Sequence, residues 1–315
     1  MPNAGHTQKA TNMKKYLTGF TLAAVAAITL SACGGGDPMS TSNNTQAAAG
    51  DSIIVGSADF TESQLIAKIY AEALKAKGVQ VTEKPSIGSR EVTIPALKDG
   101  SIDLMPEYGG ALLQYLDPQT KAVSSEDVAK DLATKIPSGL TMLTPSEAED
   151  KDVLTVKKET AEKYNLKTIS DLQPVAKELV LGGPPEWKTR LNGVAGLKSV
   201  YNLEFKEFSA LDAGGPLTLN ALLSGQVQVA DLFSTDPALA ENDLVALDDD
   251  KNLFLSENIV PVINQKKSTE NVKDVLNKVS AALTTEDLIE MNGRAAKFED
   301  LGDIANDWLK SKNLA

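Results

Sequence analysis

The stretch Ala96-Leu-Lys-Asp-Gly100-Ser-Ile-Asp-Leu104-Met-Pro-Glu-Tyr108-Gly-Gly110 decides the reading of the fold. An apolar helix end stops at a glycine, a β-type run starts two residues later, and the run empties into a loop holding a carboxylate and an aromatic ring. Upstream, Ser52-Ile-Ile-Val-Gly56 reads as a strand. Thr61 opens a helix with Gln64 as its capping-box partner. Leu65, Ile66, Ile69, Ala73 and Leu74 share one face of that helix, and Gly78 ends it. A strand over 79–83 and a helix over 90–98 follow. Strand–helix–strand units of this length favour parallel pairing with right-handed crossovers.

Downstream, Ala221-Leu-Leu-Ser-Gly225-Gln-Val-Gln-Val229 echoes the opening stretch and runs into Asp231-Leu-Phe233-Ser-Thr-Asp236. In open α/β sheets, ligands bind beyond the carboxyl ends of strands. Two lobes that each present such a loop would close on a solute between them. The middle third has its own strands, over 153–156, 178–181 and 227–230. After Ile259-Val-Pro-Val-Ile263 the chain reads as helical to its end. Val272, Val275, Leu276, Val279 and Leu283 form one stripe, Leu288, Met291 and Ala295 another, and Trp308 is read as a core anchor of the last helix.

The N-terminal residues read as an export signal. Lys14 and Lys15 precede an apolar run from Leu17 to Leu30 that ends at Leu30-Ser-Ala-Cys33. That ending resembles a bacterial lipobox, so Cys33 is expected to carry a lipid and to become the first mature residue. Residues 34–50, rich in Gly, Ser, Thr, Asn and Ala, read as a flexible tether. The expected organisation is a signal over 1–32, a tether over 33–50, lobe one from 51–151 and 248–315, and lobe two from 152–247. The expected location is the extracytoplasmic face of the cell envelope, lipid-anchored.

Composition excludes several function classes. The chain has one cysteine and one histidine, namely Cys33 and His6, so the chain beyond Cys33 contains neither. Cys–His or Ser–His–Asp catalysis and His-ligated metal sites are therefore not expected there. With 31 basic and 43 acidic residues, the net charge is −12, which argues against nucleic acid as a partner. Asp248-Asp-Asp250 lacks the spacing of a calcium loop and reads as a solvated turn. No cofactor, no metal and no enzymatic activity are expected.

Five segments, in order, resemble one family. They are Gly56-Ser-Ala-Asp-Phe60-Thr-Glu-Ser63, Gly88-Ser-Arg90, Pro106-Glu-Tyr-Gly-Gly110, Gly183-Pro-Pro-Glu-Trp-Lys-Thr-Arg190 and Phe233-Ser-Thr-Asp236. They resemble the substrate-binding proteins of ABC importers for glycine betaine, carnitine and choline. The resemblance implies an α/β type II periplasmic-binding-protein fold, with two lobes of mixed, mainly parallel sheet flanked by helices. It implies an extracytoplasmic, monomeric binding protein that hands an osmoprotectant to permease and ATPase subunits.

In that family an aromatic cage holds a quaternary ammonium. By motif, Tyr108 matches a cage tyrosine, Phe233 a second aromatic and Arg190 a basic position beside the ligand. Ser63, Gln64, Gly110 and Ala111 fall in the matching segments, and Phe60 and Trp187 are candidate substitute rings. The chain departs from the pattern at Ala111 and Ser63. It also lacks the tyrosines expected near Asp152-Val153 and near Ser256-Glu257. The alternative roles are packing of the lobe interface for Tyr108, a pair with Glu186 for Arg190, core packing for Phe233, and helix capping for Glu62 and Gln64. The competing functions are the same fold binding a solute that is not a quaternary ammonium, and an extracytoplasmic sensor without transport.

Overall fold

The computed structural model describes residues 52–315. The expected signal segment, Cys33 and the tether lie outside the described residues. The chain runs through β1 (Ile53–Gly56), α1 (Thr61–Ala76), β2 (Val81–Lys84), α2 (Arg90–Asp99), β3 (Leu104–Tyr108), α3 (Gly109–Leu116), α4 (Ser125–Lys135) and β4 (Leu140–Met142). It continues through β5 (Asp152–Lys157), α5 (Lys158–Tyr164), β6 (Val180–Gly183), α6 (Val194–Tyr201), β7 (Glu207–Ala210), α7 (Pro216–Leu223), β8 (Val229–Phe233), α8 (Ala238–Glu241) and β9 (Leu244–Ala246). It closes with β10 (Ile259–Asn264), α9 (Glu270–Ala282), α10 (Thr285–Ala295) and α11 (Leu301–Ser311).

The described residues form two five-stranded sheets, ordered β2-β1-β3-β10-β4 and β7-β6-β8-β5-β9. In the first, β1 pairs β2 and β3 in parallel, while β10 pairs β3 and β4 antiparallel. The second repeats that plan, with β6 parallel to β7 and β8, and β5 antiparallel to β8 and β9. In each sheet four of the five strands therefore run the same way and one, β10 or β5, runs against them, which is the mixed, mainly parallel arrangement expected. The sequence echo has a structural counterpart: α2–β3 and α7–β8 occupy equivalent places, with β3 and β8 central. After supplying the second sheet, the chain returns through β10 to the first.

Both faces of the first sheet are covered. Leu65, Ile66, Ile69, Tyr70 and Leu74 of α1 are fully buried with Val272, Leu276, Ile304 and Leu309 of the C-terminal helices. Each such aliphatic side chain contributes about 1.5–3 kcal/mol of transfer free energy. The opposite face carries Ile94 and Leu97 of α2, Leu112 of α3 and Leu132 of α4. Trp308 sits within the first cluster, 5 % exposed. Helix α1 ends where Gly78 adopts a left-handed φ of 80°, but its start differs from the expectation. Phe60 is the N-cap and, having no side-chain oxygen, cannot cap the helix, while Gln64 reaches toward the Asp59 carbonyl, at 3.4 Å. No helix among the described residues is long and apolar enough to cross a membrane.

Candidate functional site

The parallel strands deliver their carboxyl ends to one cleft. Past β1 comes Ala58–Ser63, at the end of β3 stand Glu107 and Tyr108, past β6 comes Pro184–Arg190, and β8 ends in Asp231 to Phe233. The antiparallel strands contribute their beginnings to the same place, since their direction is reversed. In register, Asp152 of β5 lies opposite Phe233 and Ile259 of β10 opposite Tyr108. Asp150, Asp152 and Glu257 are thereby carried to the ends of the parallel strands. Phe60, Tyr108, Trp187, Asp150, Asp152, Asp231, Phe233 and Glu257 line one cavity of about 80 Å³. That space admits a small solute, given that one water needs about 10–15 Å³.

Three rings meet there, from both sheets. The Phe60 ring centroid lies 5.6 Å from that of Tyr108 and 5.3 Å from that of Phe233, tilted against each. Phe233 is held in place by the loop before α7. A side chain on Gly214, whose φ is 61°, would meet Phe233 Cδ2 at 2.6 Å. Trp187 is fully buried and stacks on Phe254, with centroids 6.4 Å apart. Its indole approaches Asp152 without meeting hydrogen-bond geometry.

Around the rings stands a wall of carboxylates. Tyr108 donates its hydroxyl to Glu62 Oε1 at 2.8 Å, and Glu62 Oε2 accepts from Thr235 Oγ1 and Asn292 Nδ2, both at 2.6 Å. Asp150 accepts from the Thr235 amide at 3.1 Å, and Asp152 from Asn192 Nδ2 at 2.7 Å. Neither oxygen of Asp231 has a donor, nor does Glu257 Oε2. Burial raises all four of Asp150, Asp152, Asp231 and Glu257. Glu62 adds to the shift at Asp150, and Asp152 with Asp150 adds to it at Asp231. Glu257 is pushed up to about 8, with the Ala111 amide opposing.

Both arginines of the wall are engaged by protein carboxylates. Arg90 donates from Nε to both oxygens of Glu107, at 3.1 and 3.0 Å, and from Nη2 at 2.7 Å. Arg190 donates to Glu91 through Nε at 3.0 Å and Nη2 at 2.7 Å, with Glu186 further off at 3.8 Å.

Of the residues singled out from the sequence, Tyr108, Phe233, Phe60, Trp187, Arg190, Ser63 and Ala111 lie in the lining. Gln64 and Gly110 do not. Gly110 instead packs under Leu255 and Ser256, where a Cβ would lie 2.7 Å from Leu255 Cβ. Ser63 faces inward, its Oγ accepting from the Ala58 amide at 3.0 Å. Asp150, Asp152, Asn192, Asp231 and Glu257 are lining residues that sequence reasoning passed over. The Asp248–Asp250 turn is structural: Asp249 accepts from Tyr201 and from the Phe254 amide, and Asp250 from Ser170.

Residues 51–311 match the family described as the substrate binding domain of ABC-type glycine betaine transport systems. A glycine-betaine-binding protein of Pseudomonas aeruginosa is 28% identical over 230 residues, covering 69% of this chain and 72% of that protein. The carnitine transport binding protein OpuCC of Listeria monocytogenes is 30% identical over 214 residues, 65% of this chain and 67% of that one. Among solved structures, a glycine betaine/carnitine/choline ABC transporter protein aligns at a TM-score of 0.65 with 24% identity, over 83% of this chain and 99% of its own. A choline binding protein with choline bound aligns at 0.64 with 18% identity, over 84% and 89%. These likenesses show the two-lobe periplasmic-binding-protein fold. The chain belongs to the family of substrate-binding domains of ABC-type glycine betaine transport systems, which bind solutes for importers and are not enzymes.

Proposed function

We propose that this protein captures an osmoprotectant, such as glycine betaine, choline, carnitine or a related small solute, in the cleft between its two sheets. It would deliver that solute to the permease and ATPase of an ABC importer at the extracytoplasmic face. The observation that carries this reading is the meeting of Phe60, Tyr108 and Phe233 over a buried acidic wall. Ring faces and carboxylates both attract an organic cation, and a low-dielectric cleft strengthens the attraction. The proposed contacts are Phe60, Tyr108 and Phe233, with Trp187, Ser63 and Ala111 shaping the wall.

The reading extends to organisation. Lobe one would comprise 51–151 and 248–315, lobe two 152–247, and the monomer would be tethered through a lipid on Cys33. Calorimetric titration of the purified protein with glycine betaine, choline, carnitine and ectoine tests the ligand class. Saturable binding of at least one, at one solute per chain, is expected. No binding below millimolar concentration to any of them, with saturable binding of an unrelated solute, would overturn it.

A further inference from the structure

Asp231 is 1 % exposed and Glu257 3 % exposed, yet both Asp231 oxygens and Glu257 Oε2 lack a donor while lining the cavity. Buried polar atoms are almost always hydrogen-bonded, and leaving a carboxylate without donors is costly. None of these oxygens meets an N–H or hydroxyl donor of the protein, and Asp231 has only the Asp152 carboxyl beside it, with which it can share a proton, so a ligand that donates N–H would take that proton's place.

The charge balance of the wall points the same way. Arg90 spends its Nε and Nη2 on Glu107 and Arg190 spends the same pair on Glu91, so the charge of each guanidinium is matched by a protein carboxylate outside the acidic cluster. Asp150, Asp152, Asp231 and Glu257 face the cavity without a cation of their own. A fully methylated ammonium offers such groups only C–H. An N–H cation makes short, charge-assisted bonds to them, and a planar one pairs both oxygens of a carboxylate at once.

We propose that the site selects an organic cation bearing N–H donors, a protonated amine, amidinium or guanidinium, and that Asp231 is the residue that reads those donors. This rests on the cleft being the solute site, and it moves the solute from a quaternary ammonium to a cation with N–H donors. The remaining rings still serve such a cation, because ring faces attract any cation. Same-sign groups surround the acceptors: Asp150 and Asp152 for Asp231, Asp152 and Glu107 for Glu257. Arg190 and Arg90 respectively oppose them. An entering cation would displace protons from this cluster, so binding should release protons and tighten as pH rises.

The test is a minimal pair, choline against N,N-dimethylethanolammonium, which differ by one methyl exchanged for N–H. Calorimetry on the wild-type protein at pH 7 should show the N–H cation binding at least about tenfold more tightly, as one charge-assisted hydrogen bond implies. Asp231→Asn should reduce that preference to within about threefold, with circular dichroism confirming the fold. Glu257→Gln, read the same way, serves if Asp231→Asn does not fold. Choline binding equally or better in the wild type, or a preference that survives both substitutions, overturns the proposal and leaves the cleft reading standing. Absence of binding by either compound and by agmatine, a guanidinium probe, also overturns it. Glycine betaine and carnitine titrations then decide the wider reading separately.

Discussion

Arg190, in the loop after β6, grips Glu91 on α2 in a two-pronged ion pair, at 3.0 and 2.7 Å, that joins the second sheet's half of the molecule to the first. Hydrogen bonds from Arg190 and Ser89 overcome the opposing effect of burial and hold the Glu91 carboxyl down at about 2. A lowered carboxylate pKa stabilises above the ordinary carboxylate range, and the contribution disappears as pH falls from there toward 2.

Glu91→Gln should therefore speed solute release by roughly two- to tenfold, since the ion pair acts only while the halves are together. Its effect on stability should stay within about 1 kcal/mol, because the Glu91 side chain is 42 % exposed and screened. Stopped-flow dissociation and a thermal melt measure the two. An unchanged release rate would show that the pair does not hold the cleft shut.

Glu257 gives a pH dependence of opposite sense. Burial raises its carboxyl to about 8. The resulting stability is fully present below the ordinary carboxylate range, where the group is neutral in both states. It is lost as pH rises through about 8. The solute-free protein should lose a few kcal/mol of stability between pH 5 and pH 8, at about 1.4 kcal/mol per unit. Glu257→Gln should flatten that loss. Urea melts across this range check it, and identical slopes in both proteins would contradict it.

Gly214 fixes where Phe233 stands. Its left-handed φ disfavours any side chain, and a Cβ there would press on the Phe233 ring at 2.6 Å. Gly214→Ala should weaken solute binding at least about fivefold, with a stability cost of about 1–3 kcal/mol. Parallel calorimetry and melting separate the effects. Unaltered affinity would remove Phe233 from the site.

The Tyr108 hydroxyl donates to Glu62, so its ring is the part expected to hold a cationic solute. Tyr108→Phe should cost about 1–3 kcal/mol by stripping a buried carboxylate of a donor. Affinity should stay within about threefold, as the ring face is retained. A large loss of affinity at unchanged stability would mean the hydroxyl contacts the solute.

The fold was largely legible because helix α1 and the two helix–glycine–strand units advertise themselves locally, through periodicity and a glycine stop. Phe60, Tyr108 and Phe233 were legible too, since each sits in a short motif at a strand end. The acidic wall was not. Asp152 and Glu257 reach the cleft only because β5 and β10 run antiparallel to their neighbours, and strand direction is set by long-range pairing that no local pattern encodes. Likewise, Arg190 shows Glu186 nearby in sequence, but its partner Glu91 lies 99 residues away. The helix start failed for a local reason, as Phe60, drawn into the ring cluster, took the cap position.

The central claim, that the cavity lined by Phe60, Tyr108, Trp187 and Phe233 is where the solute sits, is tested most directly by tryptophan emission. The chain has two tryptophans, so Trp308→Phe leaves Trp187, buried in that lining, as the only reporter. Titrating this variant with the compound that binds best should give a saturable change in emission with a midpoint equal to the calorimetric Kd. Saturable heat with no response from Trp187 would place the solute elsewhere and contradict the claim.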